Sequence, residues 1–122
     1  MRRFVVYILP ILAYAGLIFL LSSRSSLPAP RFPGFDKLAH FIEYGILGVL
    51  TIRALMGYGV VARRALFYAI GLSVLYGVTD EIHQAFTPNR EPSLMDLLAD
   101  LLGGAAGAWA WYALRHRGGQ RR

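Results

Sequence analysis

Asp80-Glu81-Ile82-His83-Gln84-Ala85-Phe86-Thr87-Pro88-Asn89-Arg90-Glu91-Pro92-Ser93-Leu94-Met95-Asp96 is the stretch whose reading decides the fold. It closes one hydrophobic segment, 65–86, and opens another, 94–114. At about 1.5 Å per residue either segment is long enough, as a helix, to cross a hydrocarbon core of about 30 Å. Between them Pro88 and Pro92 bracket a short turn and hold Arg90 near two helix ends.

Working outward, two more segments of the same kind appear at 4–21 and 38–56. Of the 122 residues 56% are hydrophobic and 16% charged, too apolar for an ordinary soluble domain. The expected fold is therefore all-α: a single domain, 1–122, built as a four-helix transmembrane bundle. Nothing left outside the four spans is large enough to hold a core of its own, so the bundle and its loops must carry the function. The first span, opened by Met1, Arg2 and Arg3, is expected to be a retained helix: its apolar run is longer than a usual signal core, and Ser22-Ser23-Arg24-Ser25-Ser26 offers no clear cleavage site.

The charge of +6 is best explained by orientation, and no nucleic-acid partner is expected. Arg2, Arg3, Arg53, Arg63, Arg64, Arg115, Arg117, Arg121 and Arg122 fall on one side of the predicted spans; Arg24, Arg31, Lys37 and Arg90 fall on the other. The positive-inside rule then puts both termini in the cytoplasm and loops one and three outside. Loop one, 22–35, is broken by Pro28, Pro30 and Pro33 and is expected to lie extended on the outer surface. The arginines of the tail are expected to meet anionic lipid. Cysteine is absent, which removes disulfides and thiolate chemistry.

All seven acids, Asp36, Glu43, Asp80, Glu81, Glu91, Asp96 and Asp100, lie toward the outer side. In helix two, Asp36, His40 and Glu43 fall within an arc of about 60°, flanked by Lys37 and Tyr44. In helix three, Ser73, Tyr76, Asp80, His83 and Gln84 span about 120°, with Glu81 at the edge. In helix four, Asp96 and Asp100 continue into a Gly103-x-x-x-Gly107 seam that permits close approach of helix two or three.

Several of these residues have a structural reading as well. Asp36 fits a cap of helix two, Ser93-x-x-Asp96 fits a capping box, and His40 and Tyr76 suit interhelical hydrogen bonds. Asp80 and Glu81 are harder to place. Adjacent carboxylates near a helix C-terminus are unfavourable, burial of one costs roughly 2.5–3.5 kcal/mol at mid-membrane, and Arg90 is the nearest expected compensation. The catalytic candidates are His83, Asp80 and Glu81. The binding candidates are Lys37, His40, Glu43, Tyr44, Gln84, Arg90, Asp96 and Asp100. No cofactor and no metal is assigned: His40-x-x-Glu43 and Asp80-x-x-His83 have ligand-like spacing, but no third helix adds a histidine.

Asp36-Lys37-x-x-His40-Phe41-x-x-Tyr44, then Asp80-Glu81-x-His83-Gln84-x-Phe86-x-Pro88-x-Arg90-x-x-Ser93-x-x-Asp96 and a glycine-rich last helix, resembles the VanZ-like family of small bacterial membrane proteins. The resemblance runs from about Ser22 to Gly107 and departs at Asp100, where the family commonly carries Asn. It implies a bacterial inner-membrane location and an envelope role; the founding member is associated with resistance to teicoplanin, which binds cell-wall precursors outside the membrane. Three functions are weighed. One is binding, in an outward polar pocket, of a lipid-linked or cell-wall-precursor ligand, with membrane lipids as partners. The second is a membrane hydrolase or transferase with His83 or His40 as base and Arg90 stabilising developing charge. The third is a proton-coupled transporter, disfavoured because the cytoplasmic half has no acid. The sequence leaves oligomeric state open.

Overall fold

A computed structural model describes residues 1–24 and 32–119. The expected extended course of loop one therefore lies largely outside the described residues, as do the last arginines of the tail. Among the described residues the chain is all-helical: a π-wound turn, Phe4–Ile8, leads into α1 (Leu9–Ser22), followed by α2 (Phe35–Gly57), α3 (Ala62–Gln84) and α4 (Leu94–Gly119). Four helical segments, Phe4–Ser22, Phe35–Gly57, Ala62–Gln84 and Leu94–Gly118, are long and apolar enough to cross a membrane. Leucines and phenylalanines such as Leu20, Phe67, Leu75 and Leu102 stand exposed on their outer faces, as lipid contact requires.

The helix ends differ from expectation by a few residues, each for a local reason. α2 begins at Phe35 instead of 38, because Gly34 takes the left-handed conformation (φ 82°) that lets the chain turn straight into it. α3 stops at Gln84, where the N–H groups of Phe86 and Thr87 turn back to the carbonyls of His83 and Gln84. α4 runs on past 114 with Arg117 in its last turn, a cation suited to a helix C-terminus.

α2 and α4 make the closest contact in the bundle. A Cβ on Gly103 would overlap the backbone of Phe41, one on Gly107 the backbone of Gly45, and one on Gly48 the backbone of Gly104. The seam on α4 therefore meets α2, and α2 answers with glycines of its own, Gly45 and Gly48. α3 closes on the same pair through Ser73 against Gly104 and Gly77 against Asp100. Toward the Arg63–Arg64 end, Ile52, Ala65, Ala69 and Ala108 form a small apolar core.

α1 is attached differently. Pro10 has no N–H to give to the carbonyl of Val6, and Arg53 Nη1 donates to that oxygen at 2.9 Å while lying over the Tyr7 ring. Farther along, Tyr14 donates to the carbonyl of Glu43 (2.9 Å) and Tyr76 to that of Ala15 (2.5 Å). Arg53, read from the sequence as an orientation signal, thus also repairs the helix at its proline.

The glycine contacts predict a sharp contrast in stability. Gly107→Ala and Gly48→Ala are expected to cost about 1–3 kcal/mol each, as overpacking does. Gly16→Ala, with nothing within 4 Å of the new methyl, is expected to leave unfolding in detergent unchanged or slightly improved.

Candidate functional site

The α2–α4 seam sets Asp96 and Asp100 directly against the first turns of α2. Asp100 is wholly enclosed, and its Oδ1 lies 2.8 Å from His40 Nδ1. The other ring nitrogen, Nε2, is 3.7 Å from Asp96 Oδ2. Lys37 Nζ then bridges Asp96 Oδ1 and Asp36 Oδ2, each at 2.5 Å. One line of groups thus descends from the exposed Asp36 through Lys37, Asp96 and His40 to the buried Asp100. Charge-assisted bonds of this kind are the strong ones, and here they join two helices.

α3 supplies the opposite wall. Asp80 and Glu81 are 6% and 8% exposed, and with His40 (8%) and Asp100 (0%) they form a group whose ligating atoms all lie within 4.8 Å of one another. Glu81 Oε2 accepts the backbone N–H of Ser93 at 2.8 Å, while Ser93 Oγ accepts the N–H of Asp96 at 3.3 Å. The capping box expected from Ser93-x-x-Asp96 is therefore shared. Glu81 takes the place that the box's own acid would fill, and Asp96 is released to Lys37. A carboxylate badly placed for its own helix's C-terminus is well placed for the N-terminus of the next. Asp36 makes no side-chain cap; Gly34 occupies that position.

Two expected members lie elsewhere. The His83 ring stacks on Phe19 of α1, with ring centres 4.4 Å apart, and its Nε2 is 2.8 Å from Ser23 Oγ. Arg90 donates from Nε to the carbonyl of Arg24 (3.1 Å) and from Nη2 to that of Leu21 (3.4 Å). These carbonyls lie at and just past the end of α1, the negative end of its dipole, so Arg90 caps α1 and pairs with no carboxylate within 4 Å among the described residues. The polar stripe of α3 is wider than one interface: Tyr76 and His83, on its edge, face α1, while Ser73, Gly77, Asp80, Glu81 and Gln84 are buried.

Tyr44 and Gln84 are buried beside the cluster; Glu43 is half-buried and gives its backbone oxygen to Tyr14. Four buried side-chain atoms have no hydrogen-bond partner among the described residues: Tyr44 Oη, Glu81 Oε1 and Asp100 Oδ2 at or beside the cluster, and Ser22 Oγ at the end of α1. The sequence reading missed Tyr14, Gly45, Gly48 and Gly77. The glycines were open to detection as small residues three apart on α2 and opposite Asp100 on α3; Tyr14 gave no signal, being one aromatic in an apolar span.

Below the cluster, a half-open cavity of about 440 Å³ lies between α1 and the α2–α3 pair. Ile8, Ile11, Ala15, Leu47, Ala54 and Leu72 line it, and Tyr76 stands at its upper end, one helical turn from Asp80. The Tyr76 and Tyr44 rings are 6.3 Å apart, so the apolar slot ends where the polar group begins.

The bridging Lys37 is expected to couple to Asp96. Lys37→Gln and Asp96→Asn should each lower stability, and the double variant should lose less than the sum. The coupling should be about 1 kcal/mol in a double-mutant cycle followed by unfolding in detergent.

A profile of the family described as VanZ/LLP1 matches residues 4–115. No curated protein matches the chain, and no solved structure does.

Proposed function

Since this chain belongs to the VanZ/LLP1 family and is built as a multi-pass membrane protein, we propose that it binds a lipid-linked ligand of the cell envelope. The ligand's chain occupies the slot between α1 and α2–α3, and its polar head meets the His40–carboxylate group. The observation that carries this reading is the junction of the two: an apolar cavity within the size range of ligand sites, about 300–1,000 Å³, ends one helical turn from a cluster of buried ionisable groups. Intramembrane ionisable groups are costly and mark sites of function by default. Aliphatic walls suit an acyl or prenyl chain; fixed polar groups at one end suit a head with amine, hydroxyl or phosphate functions. In this reading the four buried groups are not the floor of a pocket open to water, and the ligand enters from the bilayer.

The hydrolase reading has two candidate bases and keeps only one: His83 is engaged by Ser23 and Phe19 instead of Asp80 or Glu81, while His40 faces Asp100. A role in glycopeptide tolerance belongs to the same proposal: a protein that holds the lipid-linked precursor such drugs bind would alter their access to it.

Native mass spectrometry of protein extracted in lipid tests the slot. Ala15→Phe, which fills it, should reduce co-purifying lipid-linked species about tenfold, the equivalent of roughly 1.4 kcal/mol. Leu12→Phe, on the exposed face of the same helix, should not. Equal occupancy in the two variants would sink the slot.

The proposed orientation places the cluster toward the outer face of the bacterial inner membrane, with both termini inside. Because the chain has no cysteine, single substitutions report their side without interference. Glu91→Cys is expected to react with a membrane-impermeant maleimide in intact cells, and Arg117→Cys only after permeabilisation. The reverse pattern refutes the orientation.

A further inference from the structure

We propose that His40, Asp80, Glu81 and Asp100 form a binding site for one divalent transition-metal cation, Mn²⁺ or Zn²⁺. Three helices contribute: His40 from α2, Asp80 and Glu81 from α3, Asp100 from α4. Each offers one ligating atom, and these lie within 4.8 Å of one another. Donors around a metal bound at about 2.1 Å are about 3.4 Å apart in a tetrahedral set and about 4.2 Å apart where they lie on opposite sides, so coordination draws the widest pair together by about 0.6–1.4 Å.

Two of the three carboxylates, Glu81 and Asp100, are oriented in a way that leaves one oxygen available. Glu81 gives Oε2 to the Ser93 N–H and keeps Oε1, buried and without a partner among the described residues. Asp100 gives Oδ1 to His40 and keeps Oδ2, equally buried and unpartnered. One oxygen fixes the group and the other is offered, which is how outer partners aim metal ligands. The Tyr44 hydroxyl, on a side chain with no exposure one helical turn from His40, is a third unpartnered atom. Polar atoms enclosed without partners are costly, and three beside one cluster point to something they bind.

Charge leads to the same place. Lys37 is committed to Asp36 and Asp96, and Arg90 to the carbonyls of α1. His40 is the one cationic side chain within the group, so three carboxylates share at most one positive charge. A divalent ion bound to neutral imidazole and three carboxylates lowers the local charge from three negative to one. The donor set selects the ion: carboxylates are hard and imidazole is borderline, a combination suited to Mn²⁺, Fe²⁺ or Zn²⁺ and poorly suited to Cu⁺.

His40 is itself held for this task. With Nδ1 turned to Asp100, the ring presents Nε2 to Asp96, 3.7 Å away, and Asp96 is anchored by Lys37. A metal on Nδ1 would replace the hydrogen bond from that nitrogen to Asp100 Oδ1, so that His40 and Asp100 meet through the ion, and would leave Nε2–H facing Asp96. Asp96 is thus a positioning residue for the ligand histidine. The inference does not depend on the lipid reading, because metal content and lipid occupancy are measured separately.

The experiment uses the full chain in nanodiscs, equilibrated with Mn²⁺ or Zn²⁺, passed through a desalting column and assayed by inductively coupled plasma mass spectrometry, with thermal unfolding followed with and without EDTA. Wild type is expected to retain about one ion per chain, to lose thermal stability with EDTA, and to regain it when the metal is returned. Glu81→Gln keeps an acceptor for Ser93 and the shape of the side chain, so it should fold; it is expected to lose the ion and the EDTA response. Asp96→Asn should weaken affinity about 10–100-fold while leaving the stoichiometry at saturation unchanged. Wild type with no ion above the Glu81→Gln level, and with unfolding insensitive to EDTA, overturns the site in favour of carboxylates neutralised by protons. Equal retention of the ion by Glu81→Gln overturns it as well.

Discussion

The close approach of α2 and α4 is the constraint on which the rest of the bundle depends. In lipid there is no hydrophobic drive to pair helices, and backbone-to-backbone packing of small residues supplies the attraction instead. Here Gly103 and Gly107 lie on the backbone of Phe41 and Gly45, and Gly48 lies on that of Gly104. With the backbones this close, side chains one turn above the seam are forced together as well. Asp100 has no room to avoid His40, and Asp96 none to avoid Lys37. The register of the glycines is therefore also the register of the charges.

Because the charges meet across the seam, the electrostatics separate into layers. At the rim Asp36, Lys37 and Asp96 form a chain of alternating sign, partly exposed and of modest individual worth. One turn deeper His40, Asp80, Glu81 and Asp100 have lost most of their water, and negative groups outnumber positive ones. Desolvation of a charge costs several kcal/mol unless partners restore what water gave, and the deeper layer is only partly restored by the protein itself. Stability alone would favour apolar residues at these positions. Their presence argues for a use.

Hydropathy made the four helices legible, and their ends shifted by a few residues, at Gly34 and after Gln84 through local backbone chemistry and at the start of α3 and the end of α4 by extension into the basic segments. Much of the polar group was also legible, since helical spacing puts His40 on one face of α2 and Asp96 with Asp100 on one face of α4. The sequence did not reveal how the stripe of α3 would divide. A stripe of about 120° exceeds what one neighbour covers, so His83 and Tyr76 went to α1 while Asp80 and Glu81 went to α2 and α4. Arg90 misled for a related reason. Near two carboxylates in sequence, it found the carbonyls at the end of α1 instead, a preference that depends on which helix end lies beside it.

The first helix shows why side chains and backbone must be counted together in such a protein. It carries no acid, and its charged residues lie at its two ends, yet it receives polar contacts from α2, α3 and the loop after α3: Arg53 at Val6, Tyr76 at Ala15, Arg90 at Leu21 and Arg24. Each of these partners accepts through a backbone carbonyl, so the identity of the accepting residue is nearly free. The donors, in contrast, are fixed in type and place. Between these points of attachment the contact is aliphatic and leaves the slot beneath Tyr76. A helix fastened by a few hydrogen bonds along an apolar face forms a wall, and the packed α2–α4 pair forms the frame that the wall closes against.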